Sequence, residues 1–162
     1  LLKILLSEKY GVEPEYIVRE PDAPAMLEEA DAGLVIGDHA LLADRNEDIE
    51  AMSYDLGREW RDYTGERMVY AVWAARDDVP REKELTVADA LQESKGVGYR
   101  NLEIIASDLA ERMNLDVEYA SRYLRMLDHD FTPEHRRGLT KYYEAAERIG
   151  EIDNVPDISV KT

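Results

Sequence analysis

Apolar residues fall along this chain in two rhythms, short and unbroken in the first half, helical in the second. Gly33-Leu34-Val35-Ile36 runs without alternation and then stops at Gly37-Asp38, the pattern of a buried strand covered on both faces. Tyr16-Ile17-Val18-Arg19 predicts another short strand, and Met68 to Ala75 a third. Between them Ala23 to Asp31 has helical spacing. A further helix is predicted after Asp55, whose carboxylate suits an N-cap; Leu56 and Trp60 share one face, and Thr64-Gly65 ends the turn. Beyond Pro80 the period is helical throughout, with Leu102, Ile105, Leu109 and Met113 on one stripe and Leu139, Tyr142, Tyr143, Ala146 and Ile149 on another. Thr132-Pro133-Glu134 marks a helix start, with a cap, a proline at the first helical position and an early acid. Alternating helices and strands in the first 75 residues predict an α/β fold around a parallel or mixed sheet, followed by a helical portion.

The stop at Gly37-Asp38 is the leading candidate for chemistry. Open α/β sheets bind ligands beyond the carboxyl ends of their strands, where glycine admits a close approach and a short acid reaches a hydroxyl. Plain turn chemistry accounts for the same pair and stays open as the alternative. His39 follows directly, and on an extended segment it would point away from Asp38. Trp60 and Trp73 are expected as core anchors. Gly96-Val97-Gly98-Tyr99 lacks the third glycine and preceding strand of a dinucleotide site and is expected as a loop. Asp128-His129-Asp130 is expected as a solvated inter-helix loop rather than a metal site, since no second ligand cluster has suitable spacing.

Taken in order, Ile36-Gly37-Asp38 with Ala40-Leu41, then Tyr54-Asp55-Leu56-Gly57 with Glu59-Trp60, then Thr64-Gly65, then Val69 to Ala74, the motifs resemble the chorismate dehydratase family of the futalosine route to menaquinone. The resemblance runs from Leu1 to about Ile158 and is specific between Gly33 and Ala75. It implies a two-lobed fold of the periplasmic-binding-protein type II kind, with residues 1–65 in a central α/β lobe and 66–162 forming the return strand and C-terminal helices of the other lobe. The implied activity is that of a lyase. Loss of water from chorismate gives 3-[(1-carboxyvinyl)oxy]benzoate, with aromaticity as the driving force. Gly37, Asp38 and His39 are the implied substrate-binding residues, and neither metal nor other cofactor is implied. The sister 1,4-dihydroxy-6-naphthoate synthase and a non-enzymatic solute-binding or sensor domain are the competing expectations.

The chain opens at Leu1-Leu2-Lys3-Ile4-Leu5-Leu6, inside an amphipathic helix that Tyr10-Gly11 ends, and so has the look of a fragment. The resemblance places most of the catalytic and substrate-holding residues upstream of Leu1, so the proton acceptor, a protein side chain or a carboxylate of the substrate itself, is unassigned and this stretch alone is expected to be inactive. Composition narrows the partners. The 162 residues are 44% apolar, enough for a core, and contain no cysteine, which removes disulfides and thiolate chemistry. A net charge of −16 opposes nucleic acid and anionic membranes, and no apolar run is long enough to span a bilayer. The resemblance, not the composition, implies the partner, the small dicarboxylate chorismate, and a place in the cytoplasm. Charge runs such as Arg45 to Asp48 and Arg76 to Asp78 are expected as solvated loops.

Overall fold

A computed structural model describes residues 1–159, and among these the regular structure is entirely helical. Helix α1 (Leu2–Ile4) passes directly into a π-helical turn (Leu5–Lys9). There follow α2 (Ala23–Glu29), α3 (Gly37–Asp44), α4 (Leu56–Thr64), α5 (Arg81–Arg100), α6 (Leu102–Met113), α7 (Val117–Met126) and α8 (Pro133–Arg148). The absence of any strand among the described residues overturns the expected α/β, periplasmic-binding-protein type of fold. Residues 16–19, 33–36 and 68–75 are irregular, and none of them makes a backbone–backbone hydrogen bond there. Strand-type sequence describes a side-chain surface suited to a pleated, covered ladder, but the ladder itself needs a hydrogen-bonding neighbour that no pattern within the segment supplies. Trp73, expected in the core, is 84% exposed for the same reason.

The chain divides into two compact units, one made of Leu1–Tyr70 with the segment from Phe131 onward, the other of Ala71–Asp130. In the first, Ile4, Leu5, Trp60, Ala145 and Ala146 form the buried cluster, and Leu56, Met68, Tyr142 and Ile149 pack on it. Trp60 is fully buried and meets the edge of Tyr142 at 6.0 Å between ring centroids, the favoured T-shaped geometry. Local sequence explains where these helices begin. Asp22 accepts a bond from the Ala25 N–H at 3.1 Å and Asp55 one from the Arg58 N–H at 2.7 Å, each satisfying an orphan donor. Gly65, in the left-handed region at φ 74°, ends α4. Across the unit, Arg148 donates two bonds to Glu8, at 2.7 and 2.8 Å, and Lys141 donates to the Thr64 carbonyl at 2.9 Å, placing a cation at the C-terminal end of α4.

In the second unit α6 and α7 form a close hairpin. Ala106, Ala110 and Ala120 are buried between them, with Leu109 and Leu124 alongside, and such small side chains let the two backbones approach. Asn114 at φ 53° ends α6, and Asp116 caps α7 through the Tyr119 N–H at 3.0 Å. Glu103 on α6 pairs with Arg125 on α7. Gly96 and Gly98, expected in a loop, lie inside α5, which extends to Arg100. A glycine costs a helix only about 1 kcal/mol against alanine, too little to break 20 residues of otherwise helical sequence. The break comes at Asn101, whose side-chain amide bonds the Val97 carbonyl at 2.8 Å. Among the described residues no helix is long and apolar enough to cross a membrane.

Candidate functional site

The motif around Gly37 builds the start of α3 rather than the end of a strand. Ile36 is extended (φ −135°, ψ 163°) and occupies the N-cap position without a side-chain cap. Gly37 then takes φ 59°, a left-handed conformation that side chains disfavour, and a Cβ placed on it would meet nothing within 4 Å. The first turn therefore begins without the side-chain acceptor that helix starts ordinarily provide. Buried Leu41 anchors the helix one turn on. Gly37, Asp38 and His39 are all exposed. Because they are helical, Asp38 and His39 are separated by about 100° around the axis, not set on opposite sides as an extended segment would have them.

Such a helix start attracts anions through its orphan donors and the positive end of the helix dipole. Asp38, in the first turn, already supplies one negative charge to that end. It stabilises α3 and at the same time opposes a second anion, unless the second anion presents a hydroxyl to the carboxylate.

The Tyr54 to Trp60 motif serves chiefly the fold. Asp55 is the cap of α4, Trp60 its core anchor, and Gly57 the place where the Tyr70 hydroxyl crosses the helix. Tyr70 is 72% exposed as a residue, but its hydroxyl end lies over Gly57, where an added Cβ would come closer than any real contact permits. Burial of that end, helped by the Asp55 carboxylate, raises the phenol's pKa. Glu59 accepts from Lys9 at 2.5 Å and from the Tyr10 hydroxyl. These two bonds, Lys9 first, hold the Glu59 carboxyl below its ordinary range, while the Glu59 bond raises Lys9 and Tyr10. Glu8 is lowered likewise, chiefly by Arg148 with help from Tyr63.

Asp128, His129 and Asp130 lie outside any helix, as expected. The Asp128 carboxylate accepts from the Asp130 N–H at 2.9 Å, Asp130 pairs with Lys95 at 2.6 Å, and the His129 ring sits 6.1 Å from that of Tyr99. The role of His135 was not foreseen. Its Nδ1 accepts the Thr132 backbone N–H at 3.1 Å and lies 2.9 Å from the Thr132 hydroxyl, completing a capping box at the start of α8. A signal for it was present in Thr132-Pro133-Glu134-His135, where histidine stands at the position that Glu or Gln ordinarily fills.

An exposed, uncapped helix start on a cysteine-free, acidic scaffold defines a candidate small-anion site, and sequence comparison supplies the class. Residues 1–148 match the profile of the menaquinone biosynthesis family, and the chain belongs to that family. It is similar to the chorismate dehydratase of Thermus thermophilus, with 30% identity over 161 residues covering 90% of this chain. The chain spans 57% of the length of that relative.

Proposed function

We propose that this protein acts in menaquinone biosynthesis by dehydrating chorismate to 3-[(1-carboxyvinyl)oxy]benzoate. The similarity to a chorismate dehydratase, over nine-tenths of the chain, carries this reading. In it the start of α3 receives one substrate carboxylate on the first-turn N–H groups of Asp38 and His39, and Gly37 leaves the approach open. Asp38 meets the ring hydroxyl, the one part of the substrate that a carboxylate favours. A protein of net charge −16 repels a dianion at long range, so local backbone donors that carry no counter-charge of their own suit this ligand. Loss of the hydroxyl together with an adjacent ring proton yields an aromatic ring that keeps its enolpyruvyl ether. Little more than positioning is then asked of the protein. This chemistry belongs to the cytoplasm.

Incubation of chorismate with this chain joined to the unmatched portion of the Thermus thermophilus relative, beside that portion alone, and chromatographic separation of the products test the activity. Accumulation of 3-[(1-carboxyvinyl)oxy]benzoate is expected, and unchanged chorismate overturns the assignment. A chorismate titration followed by amide NMR tests the site. Saturable shifts at Asp38 and His39 are expected, and shifts confined to other amides overturn their role.

A further inference from the structure

The segment that leaves α4 meets α8 in reverse order. The Thr64 carbonyl accepts from Lys141 at 2.9 Å, Glu66 pairs with Arg137 at 3.9 Å, and Arg67 pairs with Glu134 at 3.5 Å. Residues 134, 137 and 141 recur at helical spacing, so these contacts share one face of α8. Two glycines seat the same segment. The Arg67 carbonyl rests on Gly138 of α8 and the Tyr70 hydroxyl on Gly57 of α4, and at either glycine an added Cβ would fall well inside 3.0 Å of its neighbour. Between the seats Met68 packs on the Trp60 cluster. Yet residues 66–70 make no backbone–backbone hydrogen bond with any described residue, and ion pairs that reach solvent as these do hold little. Side chains and close fit keep the segment down, whereas the helices beneath it carry hydrogen-bond ladders of their own.

We propose that residues 66–70 form a strap that lifts off α4 and α8 as one piece while both helices stay folded, with Gly57 and Gly138 as its seats. The two seats respond differently to a methyl group. On Gly138 it meets main chain, which cannot retreat, and α8 itself is disturbed. On Gly57 it meets only the far end of the Tyr70 side chain, so the phenol is expelled and α4 persists, alanine being the better helix former. Gly57 belongs to the Tyr54 to Trp60 motif and Tyr70 to the Val69 to Ala74 motif, so the strap gives one joint purpose to two stretches that stand out in the sequence. The proposal is independent of the reaction catalysed.

Trypsin cuts after Arg67 only where the strap has lifted, because α8 covers the carbonyl of the bond to be cut. The initial rate of that cut, followed by mass spectrometry at low concentrations of urea, reads the open population. Lifting a strap exposes little surface, so the rate should rise with urea far less steeply than global unfolding followed by circular dichroism. Gly57→Ala should speed the cut about fivefold or more with the circular dichroism of the parent, and so should Tyr70→Ala. In the Tyr70→Ala background Gly57→Ala should add nothing, since the group it expels is already gone. Gly98→Ala in α5, where a Cβ meets nothing within 4 Å, should leave the rate unchanged. Four results overturn the proposal: cutting as fast as in an unfolded peptide, a urea slope equal to that of global unfolding, no acceleration by Gly57→Ala, or the same acceleration with and without Tyr70.

Discussion

The carbonyl oxygen of Arg67 lies against Gly138 of α8, so close that a Cβ on Gly138 would fall well inside 3.0 Å of it. The obstacle is backbone, which has no rotamer to retreat into. Gly138→Ala therefore sets two effects in opposition. Alanine gains about 1 kcal/mol of helix propensity, whereas forced overpacking costs about 1–3 kcal/mol, and against an immovable carbonyl the clash wins. Thermal melting should show Gly138→Ala destabilised. Gly98→Ala in α5, where a Cβ meets nothing within 4 Å, should gain up to about 1 kcal/mol. Equal melting temperatures for the two variants would refute the close approach.

Acid should remove the contribution of Glu8. Its folded pKa is lowered, chiefly by the Arg148 bond, below the ordinary value of about 4.3. The unfolded chain then binds the proton more readily, so the stabilisation is complete above the unfolded pKa and is lost as pH falls through the folded one. The pair is bidentate, but Arg148 is about half exposed, which holds the expected size to about 1 kcal/mol. Chemical denaturation of the parent and of Arg148→Met should differ by that amount at pH 7 and converge well below pH 4. A gap that persists in acid would show that Arg148 acts through packing.

At the start of α8, His135→Gln should melt near the parent temperature, since glutamine restores the usual partner of a capping threonine. His135→Ala should cost about 1 kcal/mol, the ordinary value of a lost cap. Were glutamine as damaging as alanine, the buried imidazole would owe its place to packing instead.

The two tryptophans should separate cleanly. Truncating fully buried Trp60 to alanine should cost about 3–5 kcal/mol, whereas Trp73→Ala should stay within about 0.5 kcal/mol. In Trp60→Phe, the remaining indole fluorescence should be red-shifted and readily quenched by acrylamide. A blue-shifted, protected Trp73 would contradict its exposure.

Asp38→Asn tests the helix start in both directions. Removing a charge from the first turn of α3 should weaken the helix by about 0.3–1 kcal/mol and strengthen inorganic anion binding. Turnover of chorismate, if Asp38 meets the ring hydroxyl, should fall about tenfold or more. Unchanged turnover with the predicted loss of stability would leave Asp38 a structural acid.

The helices were legible because each carries its own punctuation. Asp55, Gly65 and Thr132-Pro133 each fix a boundary through one or two local bonds, and the Trp60 stripe gives the buried face. Glycine was overweighted inside α5, where 20 residues outvote Gly96 and Gly98. The supposed strands failed for a different reason. Whether Leu34 or Val72 is covered depends on a neighbour remote in sequence, and apolar runs carry no record of one. The same limit applies to the Gly37 motif, which marks a change of backbone direction without showing that a helix, rather than the end of a strand, lies there. Glu8 with Arg148, 140 positions apart, has no sequence signal at all.

The π turn at Leu5–Lys9 shifts the angular phase of its own last residues relative to α1. Its bonds run five residues back, as from the Tyr10 N–H to the Leu5 carbonyl, so it holds one residue more than an α-helical turn and offsets the register by roughly 100°. At the end of this turn Lys9 and Tyr10 both reach the carboxylate of Glu59. Deleting a single residue from this turn would restore an uninterrupted α-helix, yet swing those two side chains out of step with α4. Length at this point is thus a conformational setting, and a one-residue indel here would do more harm than most substitutions.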